Sequence, residues 1–61
     1  MQYAIRDRQD GNLIDEYNDK DKAIYILNLF EAQDLVDGIY EANFYEVYDT
    51  INEEVIYEGR N

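Results

Sequence analysis

Two stretches of this chain read alike at an offset of 42 positions, counted from Ile5 to Val47. Ile5-Arg6-Asp7-Arg8-Gln9-Asp10-Gly11-Asn12-Leu13-Ile14 and Val47-Tyr48-Asp49-Thr50-Ile51-Asn52-Glu53-Glu54-Val55-Ile56 both begin and end on apolar residues. Both bring an aspartate, Asp7 or Asp49, to the entrance of a polar stretch. Each is the pattern of two short strands joined by a turn. A four-residue loop pairs Asp7 with Asn12 and sets Ile5 opposite Ile14, apolar on apolar; a two-residue Asp10-Gly11 turn would set Ile5 against Glu16. The longer loop is therefore expected, with Gly11 free to take a positive φ. The second hairpin then places Val47 opposite Ile56 and, lacking that glycine, turns to Asn52 for any positive φ.

Between the hairpins lies a helix pattern. Asn18 or Asp19 can accept hydrogen bonds from the free N–H groups of a first turn, and the early acids suit the positive end of the helix dipole. Ala23, Ile26, Leu27 and Phe30 follow at i, i+3, i+4 and i+7, one apolar stripe, with Ile24 and Leu29 off it. Gly38 stands where a glycine ends a helix, so the helix is expected over 19–36. Strands are expected over 1–7, 12–17, 43–49 and 54–58. The whole is one α+β domain spanning 1–61, ordered β-β-α-β-β: a four-stranded antiparallel sheet with one helix packed on one face. The shortest connections give strand order 2-1-3-4.

Sixty-one residues form one small domain, with no cysteine for a disulfide and no histidine or cysteine for zinc. Hydrophobic content of 46% with seven tyrosines and two phenylalanines sets it apart from disordered chains. No apolar run reaches the ~18 residues of a membrane span, and the first residues lack a secretory pattern, so a cytoplasmic location is expected. Serine, histidine and cysteine are missing, which removes the common acyl-transfer nucleophiles and their base. The glycines Gly11, Gly38 and Gly59 are too far apart for a phosphate loop. The acids Asp10, Asp34, Asp37 and Glu41 do not follow a calcium-loop spacing. No cofactor, no metal and no enzymatic activity are expected.

Charge is the functional clue. Fifteen acids face five bases, a net of −10, and the excess is lopsided: −2 over 1–22 against −8 over 23–61. Such a chain repels nucleic acid and anionic lipid, so neither is an expected partner. A directional negative field speeds encounter with a basic surface. In the expected register Tyr3, Ile5, Ile14, Tyr45, Val47 and Ile56 meet the helix, whereas Phe44, Tyr48, Val55 and Tyr57 fall on the opposite, open face. Two occupants fit such a face. A second copy would make a homodimer through Phe44, Tyr48, Val55 and Tyr57. A different protein would meet Tyr48 and Tyr57 as anchors among Glu41, Glu46, Asp49, Glu53, Glu54 and Glu58.

Tyr3-Ala4-Ile5-Arg6-Asp7, Gly11-Asn12-Leu13-Ile14, the acidic helix, Gly38-Ile39-Tyr40 and Phe44-Tyr45-Glu46-Val47-Tyr48-Asp49 together resemble short acidic uncharacterised proteins of phages and mobile elements of Gram-positive bacteria. The resemblance covers most of the chain and carries over no catalytic residue. It implies a protein that inhibits a basic host protein, one that binds nucleic acid or acts in defence, by mimicking the charge layout of DNA. The alternative is a small homo-oligomeric accessory protein.

Overall fold

The computed structural model describes residues 1–41 and 44–58. Asn43, where the third strand is expected to open, and Gly59 and Arg60 lie outside the described residues. The strands are β1 (Tyr3–Asp7), β2 (Leu13–Tyr17), β3 (Tyr45–Asp49) and β4 (Glu54–Glu58), with one helix, α1 (Lys20–Asp37), between β2 and β3. All neighbouring strands are antiparallel, in the order β2-β1-β3-β4. The expected architecture and strand order are therefore what the chain adopts.

Local chemistry sets the helix ends. Asp19 is the N-cap, its Oδ1 accepting from the N–H groups of Asp21 at 2.9 Å and Lys22 at 3.4 Å. At the other end Gly38 takes the left-handed conformation, φ 76°. The Ile39 N–H then reaches the Asp34 carbonyl and the Gly38 N–H the Leu35 carbonyl, a Schellman closure. Ala23 and Leu27 are fully buried against Ile5 and Val47, with Ile26 and Phe30 packed around them as the stripe predicts. Ile24, expected off the stripe, also packs on this core, and Glu31 is only 2% exposed.

The two hairpins share their turns and also a departure from the expected register. The Asp7 N–H donates to the Asn12 carbonyl, and Asp49 faces Glu54, so both loops have four residues. Both aspartates are buried and hold the turn with a carboxylate oxygen. Asp7 Oδ1 accepts from the N–H groups of Asp10 and Gly11, and Asp49 Oδ1 from those of Ile51 and Asn52. Beyond the turn each outer strand carries one extra residue. Arg6 faces Leu13, but Ile5 faces Asp15, leaving Ile14 in a bulge; Tyr48 faces Val55, but Val47 faces Tyr57, leaving Ile56 in the equivalent bulge. Ile5 opposite Ile14 and Val47 opposite Ile56 are thus not the pairs formed.

The extra residue reverses the alternation of the outer strands. Tyr17 and Tyr57 turn to the helix side and pack on the core, Tyr57 donating from its hydroxyl to Asn28 Oδ1 at 3.4 Å. Ile56 still reaches the core, while Ile14 is largely exposed. The positive φ of the second turn falls on Glu53, at 56°, the position equivalent to Gly11 at 72°; Asn52 does not take it.

A residue with a Cβ costs about 1–2 kcal/mol in the left-handed region, and a Cβ added to Gly11 would meet nothing within 4 Å. Gly11→Ala should therefore lower stability by about 1 kcal/mol through backbone strain alone. Glu53→Gly should raise it by roughly 0.5 kcal/mol, since relief of strain exceeds the added freedom of the unfolded chain. Urea unfolding of both variants checks the pair; loss of stability in Glu53→Gly would contradict it.

Candidate functional site

The sheet face away from the helix is built around a charged centre. Arg6 and Glu46 stand directly opposite on β1 and β3, and Glu46 Oε2 accepts from Arg6 Nε at 3.0 Å and Nη2 at 2.5 Å. The Arg6 guanidinium lies 3.9 Å from the centroid of the Tyr48 ring, its diagonal neighbour on β3. Glu46 also stands opposite Glu58 on β4, a pairing of like charges that Arg8 offsets. Arg8 Nη1 is 2.8 Å from Glu58 and its Nε is 3.7 Å from Glu46, the latter an ion pair beyond hydrogen-bonding distance. Ala4 is buried beside this network, and the exposed apolar side chains Leu13 and Val55 lie on the two outer strands, apart from each other.

This arrangement redistributes the residues expected to form a docking site. Tyr57 is on the helix side because of the Ile56 bulge, so it is neither an anchor nor part of an open-face interface. Tyr48 is half-buried under Arg6. Phe44 precedes β3 and sets its ring edge-on to Tyr45, centroids 5.0 Å apart. Of Phe44, Tyr48, Val55 and Tyr57, only Tyr48 and Val55 face one another. Among the acids, Glu46 and Asp49 are buried and engaged, and Glu58 is held by Arg8. Glu41, Glu53 and Glu54 remain exposed, without an ion pair among the described residues. Glu53 and Glu54 sit at the opposite end of β4 from Glu58, about 13 Å away along a five-residue strand. The carboxylates therefore do not form one patch beside a tyrosine cluster.

Helix-side groups carry the perturbed ionisations. Burial, then the hydrogen bond it donates to Asp34 Oδ2 at 2.6 Å, then the negative charges of Asp34 and Glu31 drive the Tyr45 phenol well above its ordinary value. The Asp15 carboxylate is held below its usual range by the Tyr17 hydroxyl, at 2.8 Å, and by the Glu16 N–H, and the Tyr17 phenol is raised in turn. Burial pushes the Asp49 carboxyl up, but hydrogen bonds from Asn52, Gln2 and Ile51 outweigh it and leave it lowered. A recess lined by Met1, Gln2, Asn18, Thr50 and Ile51 contains one hydroxyl, that of Thr50, which donates to the Gln2 carbonyl at 2.8 Å. Among the described residues no group of acids is arranged to hold a metal, and no helix is long and apolar enough to cross a membrane.

Neither the turn nor the strand patterns taken singly signal the bulges. The doubled apolar pairs Leu13-Ile14 and Val55-Ile56 do, since strict alternation cannot place both members on one face. Comparison with known proteins finds no matching family model, no matching curated protein and no matching solved structure.

A lowered folded-state carboxylate contributes stability that is present above the unfolded value of ~4 and is lost as pH falls through the folded value. The thermal midpoint of Asp49→Ala should therefore lie below that of the parent chain at pH 7, with the gap closing toward pH ~2. A gap that does not change with pH would assign the effect to the turn's shape alone. For Tyr45 the sign is reversed: its raised folded value gives stability that is intact below ~10 and lost as pH rises through the folded value. An absorbance titration should show a late phenolate step that Tyr45→Phe removes.

Proposed function

We propose that this chain is a non-enzymatic acidic binding protein that occupies a basic surface on another protein. The observation that carries this reading is the charge left over after the fold has formed. Arg6 in β1 and Arg8 in the turn that follows it are committed to Glu46 and Glu58. Glu41, Glu53 and Glu54 stay exposed. The last turn of α1 has no basic residue, although Asp34 and Asp37 add charge to the negative end of its dipole. Away from the exposed Lys20 and Lys22 at the start of α1, such a surface field is negative where it reaches solvent. It favours basic partners and penalises phosphate-bearing ones.

The commonest strongly basic protein surfaces are grooves that bind nucleic acid, and carboxylates fixed on a rigid scaffold stand there in place of phosphates. The resemblance to short acidic phage and mobile-element proteins fits an inhibitor of such a host protein. With Tyr48 covered and Tyr57 turned inward, recognition rests on Glu41, Glu53 and Glu54 rather than on tyrosine anchors.

In a bacterial lysate at about 50 mM salt the immobilised chain should retain a basic protein and release it by about 300 mM, since contacts of this kind are strongly screened. Double-stranded DNA or RNA should displace the captured protein. Glu53→Lys combined with Glu54→Lys, at the last turn residue and the exposed first residue of β4, should reduce retention at least tenfold. Retention indifferent to nucleic acid, or unchanged by the double substitution, would sink the reading.

A further inference from the structure

The outer face of α1 is apolar where a surface helix is ordinarily polar. Tyr25, Leu29, Ala32 and Val36 recur at i, i+4, i+7 and i+11, a stripe about 60° wide on the side opposite Ala23 and Leu27. All four are exposed, with Tyr25 at 62%, Leu29 at 46% and Val36 at 82%. Scattered apolar residues are ordinary on a protein surface; four in register along one helix are not. Among the described residues the open sheet face, with its charged centre, offers no comparable strip.

We propose that a second copy of this chain covers the stripe, with the two α1 helices packed antiparallel. The stripe is self-complementary about a two-fold axis between Phe30 and Glu31. That axis sets Tyr25 against the partner's Val36 and the bulky Leu29 against the partner's small Ala32, which allows close helix approach. It also brings Lys22, whose ammonium lies 5.6 Å from the Tyr17 ring of its own chain, toward the partner's Asp37, which within its own chain accepts from Gln33, at the C-terminal end of the same flank. Antiparallel helices align their dipoles favourably as well. Net repulsion between two chains of −10 acts against the pairing but is screened beyond about 8 Å at physiological salt, so charges near the contact decide its orientation. The contact uses none of Glu41, Glu53 and Glu54, so dimerisation and binding of a basic protein stand or fall separately.

Sedimentation equilibrium at about 0.5 mM chain and 150 mM salt should give twice 7.3 kDa, with a dissociation constant on the order of 10–100 µM that tightens as salt is raised. Leu29→Glu and, separately, Val36→Glu should each weaken association at least tenfold with unchanged circular dichroism, because neither side chain is in the core. Gln9→Glu adds the same charge in an exposed turn and should leave the dimer intact. Lys22→Glu should weaken association severalfold, and adding Asp37→Lys should restore it. The chain has no cysteine, so single replacements report orientation. Across the axis Leu29→Cys places its two copies about 5 Å apart along the helices and should crosslink, whereas Tyr25→Cys places them about 17 Å apart and should not. A parent chain that is monomeric at 0.5 mM, association untouched by both stripe variants, dissociation by Gln9→Glu, or equal crosslinking at 25 and 29 would each overturn the proposal.

Discussion

The pairing of Ile5 with Val47 at the middle of the sheet is the contact on which the rest depends. These two fully buried residues face each other across β1 and β3, and Ala23 and Leu27 of α1 close over them. They also occupy equivalent positions in the two hairpins, so the sheet has an approximate two-fold axis between them. The pairs Tyr3–Asp49 and Asp7–Tyr45 exchange under it. So do the hydrogen bonds from the Arg8 N–H to the Phe44 carbonyl and from the Thr50 N–H to the Gln2 carbonyl. A single helix cannot respect that symmetry. Equivalent positions therefore diverge in chemistry: where one hairpin has Arg6 the other has Tyr48, and the two stack on each other.

The bulges at Ile14 and Ile56 follow from the same constraint. The turn chemistry of Asp7 and Asp49 fixes the pairing near each loop, while the small core needs Tyr17 and Tyr57 on the helix side farther along. Strict alternation satisfies only one of these demands; one extra residue per outer strand satisfies both. Each large side chain that is fully buried contributes about 1.5–3 kcal/mol, so in a core with so few such groups two more rings matter. The functional consequence is direct. The cluster of Phe44, Tyr48, Val55 and Tyr57 that alternation predicts on the open face loses Tyr57 to the helix side through a single inserted residue, while Tyr48 and Val55 stay opposite each other.

What was legible in the sequence is therefore what local chemistry decides. Asp19 and Gly38 mark the helix ends, Gly11 marks the turn, and short connections give the strand order, because each depends on residues adjacent in the chain. Which face an outer strand presents depends on agreement between its two ends, and alternation from one end alone misjudges it. Ile24 and Glu31 teach the same lesson for the helix. Their burial reflects how α1 lies across β1, β2 and β3, which a stripe of four positions does not specify.

Acid content had the widest gap between composition and effect. Counted in the sequence, every carboxylate adds equally to the field. In the fold, Asp7, Asp19 and Asp49 accept backbone N–H groups, Asp34 accepts from Tyr45, and Glu46 binds Arg6. Short-range contacts of this kind persist in salt, especially where they are buried, whereas the repulsion among exposed acids is screened within about 8 Å at physiological ionic strength. The two groups therefore have opposite dependences. Acid removes the hydrogen bonds of Asp49, whose carboxyl is held below its usual range, and harms the fold, whereas salt removes the repulsion of the second group and spares it. A chain this small can carry ten excess negative charges because so many of its carboxylates serve as hydrogen-bond acceptors, and only the remainder is available to a partner.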